Sequence, residues 1–172
     1  AIGLVGSEMC IRDRISRWGC QMDTSWKASI ERECQKLSIA YANYLDLKRY
    51  EEFAELFGES GELAVGGLLK GRREILKSMV NRSDKLRSRH VLTNILIDVV
   101  DEKHATGITY LSLYRHIGPE SLENQPIGPF GPAAVGHYSD SFTLTDGGWR
   151  FSRRDLTFAF QNKEYFEKPK RA

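Results

Sequence analysis

The sequence predicts an α+β domain, on three observations. Helical periodicity dominates from Ser25 to Asn81, interrupted only by a short hairpin pattern. Strand-like alternation takes over from Arg89 to Phe160, and clusters of turn-forming residues punctuate that second half. Helices followed by antiparallel strands place the helices on one face of a sheet. At 172 residues, 41% apolar and 28% charged, the chain suits one folded domain and excludes intrinsic disorder. Its 25 Lys and Arg against 23 Asp and Glu give no global attraction for nucleic acid or an anionic membrane. No apolar run approaches the ~20 residues of a spanning helix, so neither a nucleic acid nor a membrane is an expected partner.

Residues 1–21 are set apart as a leader. Ala1–Ser16 has no coherent period, and LVGSEMCIRDR resembles translated adapter sequence familiar from assembled environmental data; Met22 is the candidate start. Ser25 is then the candidate N-cap of a first helix, whose stripe Ile30, Leu37, Tyr41 and Leu45 runs to about Leu47. A second helix covers Tyr50–Phe57, with Phe53, Leu56 and Phe57 on one face and Gly58 as a left-handed stop. Leu63–Val65 and Leu68–Lys70 form a hairpin around Gly66–Gly67. Gly71 opens a third helix through about Asn81, burying Ile75, Leu76, Met79 and Val80.

Four long strands follow: Arg89–Val100, His104–Ile117, Ala133–Thr145 and Trp149–Phe160, the last two joined at Asp146–Gly147–Gly148. Gly118–Pro132 is rich in proline and glycine and reads as a loop that could act as a lid. Residues 162–172 form a polar tail. In Arg89–Val100, strict alternation puts His90, Leu92, Asn94, Leu96 and Asp98 on one face and Val91, Thr93, Ile95, Ile97 and Val99 on the other. Two apolar faces imply that one meets the helices and the other a second copy, so a homodimer or homotrimer is expected.

Polar side chains on these strands suggest a half-apolar pocket for a small hydrophobic molecule. Its candidate binding residues are Asn94, Tyr110, Tyr114, Tyr138, His116, Phe53 and Phe57. The basic run Arg82, Lys85, Arg87 and Arg89 reads as a solvated loop, because no glycine-rich cradle or interleaved aromatics accompany it; Arg153–Arg154 reads the same way. No nucleotide-binding, hydrolase or zinc-protease motif occurs, and the four histidines lack metal-site spacing, so no metal or cofactor is expected. Cys10, Cys20 and Cys34 are odd in number and without CxxC spacing. They point to reduced thiols and a cytoplasmic location.

Five segments carry a family resemblance. They are Tyr41-Ala-Asn-Tyr-Leu-Asp46, Glu55-Leu-Phe-Gly58, Gly71-Arg-Arg-Glu-Ile75, Arg89-His90-Val-Leu-Thr-Asn94 and Asp146-Gly-Gly-Trp-Arg-Phe151. Together they resemble the SnoaL-like (polyketide cyclase-like) domains of the nuclear transport factor 2-like superfamily. The resemblance implies that residues 22–161 form a cone-like α+β barrel: three N-terminal helices packed in a strongly curved, mostly antiparallel sheet around a ligand cavity. Scytalone dehydratase and hexachlorocyclohexane dehydrochlorinase carry an Asp/His pair that Asp46 and His90 would match, and bile-acid dehydratase adds a helix tyrosine that Tyr41 would match. The charged or histidine partners these enzymes place deeper in the sheet fall near Leu113, Tyr114 and Leu144 here.

The chemistry of such a pair is simple. A carboxylate bonded to one imidazole nitrogen fixes the tautomer and favours the imidazolium, leaving the other nitrogen to take a proton from carbon. The function expected is a cofactor-independent lyase, a dehydratase or related elimination enzyme, acting on a small hydrophobic cyclic substrate. An isomerase or polyketide-type cyclase using the same base, or a non-catalytic ligand-binding domain, are the alternatives. Catalysis would rest on His90, Asp46 and Tyr41.

Overall fold

The computed structural model describes residues 8–118, 126 and 131–166, with side chains from residue 24 onward. Its elements follow the predicted order: α1 (Glu8–Asp46), α2 (Tyr50–Glu55), β1 (Phe57–Ala64), β2 (Leu68–Lys70), α3 (Arg72–Val80), β3 (Leu86–Val99), β4 (His104–Ile117), β5 (Ala134–Thr145), β6 (Gly148–Gln161) and a 3-10 turn at Lys163–Tyr165. α1 is already running at Glu8, so Ser25 lies inside a helix and is not its N-cap. Residues 1–7 of the leader and 167–172 of the tail lie outside the described residues, as do 119–125 and 127–130 of the segment read as a lid.

The strands form one mixed sheet in the order β2-β1-β6-β5-β4-β3. β1 and β6 run parallel; the other neighbours are antiparallel. The sheet does not close into a barrel, because β2 and β3 remain its edges. The helices pack on its inner face. α1 supplies Ile30, Cys34, Ser38, Tyr41 and Leu45, spaced three or four apart and all buried. Phe53, Phe57, Leu63, Phe142 and Phe151 fill the space between helices and sheet.

Two local features depart from the expectation. Gly58 is not a left-handed stop: β1 begins at Phe57, and the left-handed residue is Lys48, at φ 58° between α1 and α2. The second is a bulge in β3 between Thr93 and Leu96, where Asn94 adopts φ 49°. An unbroken hairpin from the Asp101–Lys103 turn would pair His90 with Tyr114 and Asn94 with Tyr110. The bulge shifts the ladder by one, so that His90 faces Leu113 and Thr93 faces Tyr110. A one-residue slip sends every following side chain to the other face. The inner face of β3 is therefore Leu86, Ser88, His90 and Leu92 before the bulge, and Ile95, Ile97 and Val99 after it.

Gly136 marks another close approach. A Cβ there would collide with the Thr157 carbonyl oxygen across the irregular β5–β6 ladder. Among the described residues, no helix is long and apolar enough to cross a membrane.

Candidate active site

Asp46 is the last residue of α1, and it reaches the inner face of β3. Its carboxylate accepts three hydrogen bonds: from the His90 backbone N–H at 2.7 Å, from Ser88 Oγ at 2.7 Å, and from His90 Nδ1 at 2.6 Å. Both side chains are nearly enclosed, His90 7% and Asp46 10% exposed. Burial pushes the Asp46 carboxyl upward, but the bonds and charge from His90, with Ser88, outweigh it and hold the group below the ordinary carboxylate range. With Nδ1 committed to Asp46, Nε2 is the ring nitrogen left for other work.

His90 lines a cavity of about 540 Å³, walled mainly by apolar side chains such as Leu45, Leu63, Leu113 and Phe158. Tyr41 and Tyr138 line it too, with ring centroids 5.4 Å apart. The Tyr41 ring stands perpendicular to the His90 imidazole at 6.5 Å. Burial raises both phenols; the Arg154 charge and a hydrogen bond from Tyr138 offset part of the rise at Tyr41. Both stay protonated near neutral pH and are therefore hydrogen-bond donors.

Behind these rings lies a charge that sequence reasoning missed. Arg154 is fully buried, not solvated. It donates two hydrogen bonds to Asp140, at 2.7 and 2.6 Å, and one to Ser38 Oγ at 3.0 Å. Its guanidinium lies 4.3 Å from the ring centroids of Tyr41, Tyr138 and Phe151. Burial works against the charge, but Asp140 outweighs it and raises the Arg154 pKa. The available signal was partial: Asp140 shares the inward phase of β5 with Tyr138 and Phe142, and Arg154 that of β6 with Leu156 and Phe158, but a ladder irregularity between Phe151 and Arg153 breaks the alternation from Phe151.

Other candidates fall elsewhere. Asn94 sits exposed at the bulge, off the His90 face. Tyr110 and Tyr114 are 51% and 37% exposed on the outer face of β4, for the register reason above. His116, in the same outward phase, lies opposite Arg87 and does not line the cavity. Phe53 and Phe57 are fully buried behind Tyr41, at ring distances of 4.7 and 6.3 Å, and serve as packing rather than lining. Conversely, Arg82 belongs to the cavity wall, not to a solvated loop. Among the described residues, no group of three or more His, Cys, Asp or Glu side chains could hold a metal.

Residues 26–155 match the family model of the SnoaL-like domain. Among solved structures, a candidate scytalone dehydratase from Novosphingobium aromaticivorans is 26% identical, with a TM-score of 0.67 over 80% of this chain and 89% of that one. A Mycobacterium tuberculosis protein of unknown function is 21% identical, with a TM-score of 0.66 over 86% and 81%. A type 2 hexachlorocyclohexane dehydrochlorinase, LinA, is 18% identical, with a TM-score of 0.66 over 86% and 99%. The last two likenesses concern the fold alone. No curated protein matches the sequence. From the matched span and this architecture, the chain belongs to the SnoaL-like domain family.

Proposed function

We propose that the protein is a lyase that removes water, or a comparable leaving group, from a small, mainly apolar cyclic substrate, with His90 as the base. One observation carries the reading: Asp46 holds Nδ1 of an imidazole that lines a half-open, largely apolar cavity. The Nδ1–H donates to Asp46, so Nε2 carries the lone pair. It takes a proton from the carbon beside a substrate carbonyl, and Asp46 stabilises the imidazolium that forms. The Tyr41 hydroxyl donates to the carbonyl oxygen as it gains charge, Tyr138 supports it by donating to Tyr41, and the Arg154 guanidinium beneath their rings favours that charge. The imidazolium then returns its proton to the departing hydroxyl, so a double bond forms and water leaves. The similarity to a candidate dehydratase supports elimination over other fates of the same carbanion.

The test is deuterium exchange from solvent into a cyclic ketone, followed by product analysis with a β-hydroxy ketone. Wild-type protein exchanges the carbon proton and yields the alkene, whereas His90→Ala loses about 10²–10⁴-fold in rate. A shifted double bond without loss of water would make the protein an isomerase working from the same base. Exchange unaffected by His90→Ala would end the reading.

A further inference from the structure

We propose that the substrate also carries a carboxylate, held by Arg82 and Arg115 at the wall of the same cavity, with the reacting carbon between that carboxylate and His90. The inference deepens the function proposed above and rests on it for the position of the reacting carbon.

Arg82 follows the C-terminus of α3, anchored by its backbone N–H to the Met79 carbonyl at 3.1 Å. Arg115 lies on the inner face of β4, opposite Ser88 and one diagonal step from His90. Such a diagonal separates side-chain origins by about 7–8 Å, room for one small ring. Both arginines line the cavity, and among the described residues no Asp or Glu does. Elsewhere, Arg89 and Arg150 donate to backbone carbonyls, while Arg49, Arg72, Arg153 and Arg154 pair with carboxylates. Among the described residues Arg82 and Arg115 have none, and Arg115 Nε is buried without a hydrogen-bond acceptor.

Burial, and then the neighbouring Arg82 charge, pull the Arg115 pKa below the ordinary guanidinium range. Two like charges facing one half-dry space cost stability until an anion enters. Local packing explains only part of the arrangement. The Phe166 ring, 4.7 Å from the Arg115 guanidinium, covers one face of it, and the end of α3 favours a cation at Arg82. Neither supplies a counter-ion.

The carboxylate is a handle rather than the activating group. Removing a proton beside a carboxylate would place a second negative charge on the same few atoms, so activation falls to a separate ketone carbonyl facing Tyr41 and Tyr138. The substrate class is a cyclic keto acid with an apolar body.

Calorimetry with 4-oxocyclohexanecarboxylate and its neutral amide, 4-oxocyclohexanecarboxamide, tests the proposal. Wild-type protein prefers the acid by about 10- to 100-fold, and the preference shrinks with added salt. The double variant Arg82→Gln/Arg115→Gln loses it; the double variant Arg82→Lys/Arg115→Lys keeps its direction. Should the glutamine variant fold poorly, the wild-type ratio and its salt dependence decide. Acid binding no tighter than amide binding, no binding of either, or inorganic phosphate binding more tightly than the keto acid overturns the carboxylate site. Deuterium exchange beside the ketone, followed in the same samples, reports on His90 separately. Exchange with no acid preference sinks the handle and spares the base, and acid preference without exchange does the reverse.

Discussion

Residue by residue, the proposed chemistry depends on where protons sit. Asp46 holds its carboxyl below the ordinary range in the folded protein, while the unfolded value is about 3.9. A depressed folded pKa adds stability above the unfolded value, and that stability is lost as pH falls through the folded one. Urea midpoints are therefore expected to drop below about pH 4, and Asp46→Asn is expected to flatten that part of the curve. The same variant can donate to Nδ1 and move the ring proton to Nε2. Exchange is then expected to fall by about 10²–10⁴-fold while the near-ultraviolet circular dichroism of the folded state persists. Arg154 acts on stability as well. Arg154→Leu strands the Asp140 carboxylate in the core and is expected to cost about 3–5 kcal/mol in denaturant unfolding; a loss below about 1 kcal/mol would contradict the buried geometry. The Asp46–His90 contact was legible as a residue pair suggested by family resemblance. Arg154 was not, because two adjacent arginines on a strand read alike, and the ladder irregularity after Phe151 decides that Arg153 faces outward and Arg154 inward.

Strand by strand, legibility was uneven for one physical reason. The turn chemistry at Asp101–Lys103 and Asp146–Gly148 located the hairpins, and β4 runs over the predicted residues. Register was not legible, because it depends on a bulge that sets Asn94 and Ile95 against the single residue Thr109. Asn94 tolerates the left-handed conformation better than its β-branched neighbours would, and it was the available clue. Missing it placed Asn94, Tyr110 and Tyr114 beside His90, where the shifted ladder puts Leu113. Close approach of β5 and β6 makes a separate prediction. Gly136→Ala would press a methyl group into the Thr157 carbonyl and is expected to destabilise by about 1–3 kcal/mol, read as a lower urea midpoint. An unchanged midpoint would mean that the ladder opens freely there.

Across the whole molecule, the helices-then-strands order was enough to place helices on one face of a sheet. The open edge at β3 and the parallel β1–β6 pairing were not legible, since pairing between distant segments leaves no local signature. The opposite face keeps Val91, Leu96, Ile108 and Tyr110 between 45% and 60% exposed on adjoining strands. An apolar patch of this kind fits a second copy of the chain. Sedimentation is expected to find a dimer or trimer that Ile108→Arg shifts toward monomer; a wild-type monomer at tens of micromolar would refute that assembly.

Beneath these predictions lies the claim that His90 presents a bare Nε2 to the cavity because Asp46 holds the proton on Nδ1. Nitrogen-15 NMR of the His90 ring, under conditions where the imidazole is neutral, addresses it most directly. The Nδ1–H tautomer is expected in wild-type protein, and its loss in Asp46→Asn. A wild-type ring protonated on Nε2, or a tautomer mixture indifferent to Asp46, would contradict it.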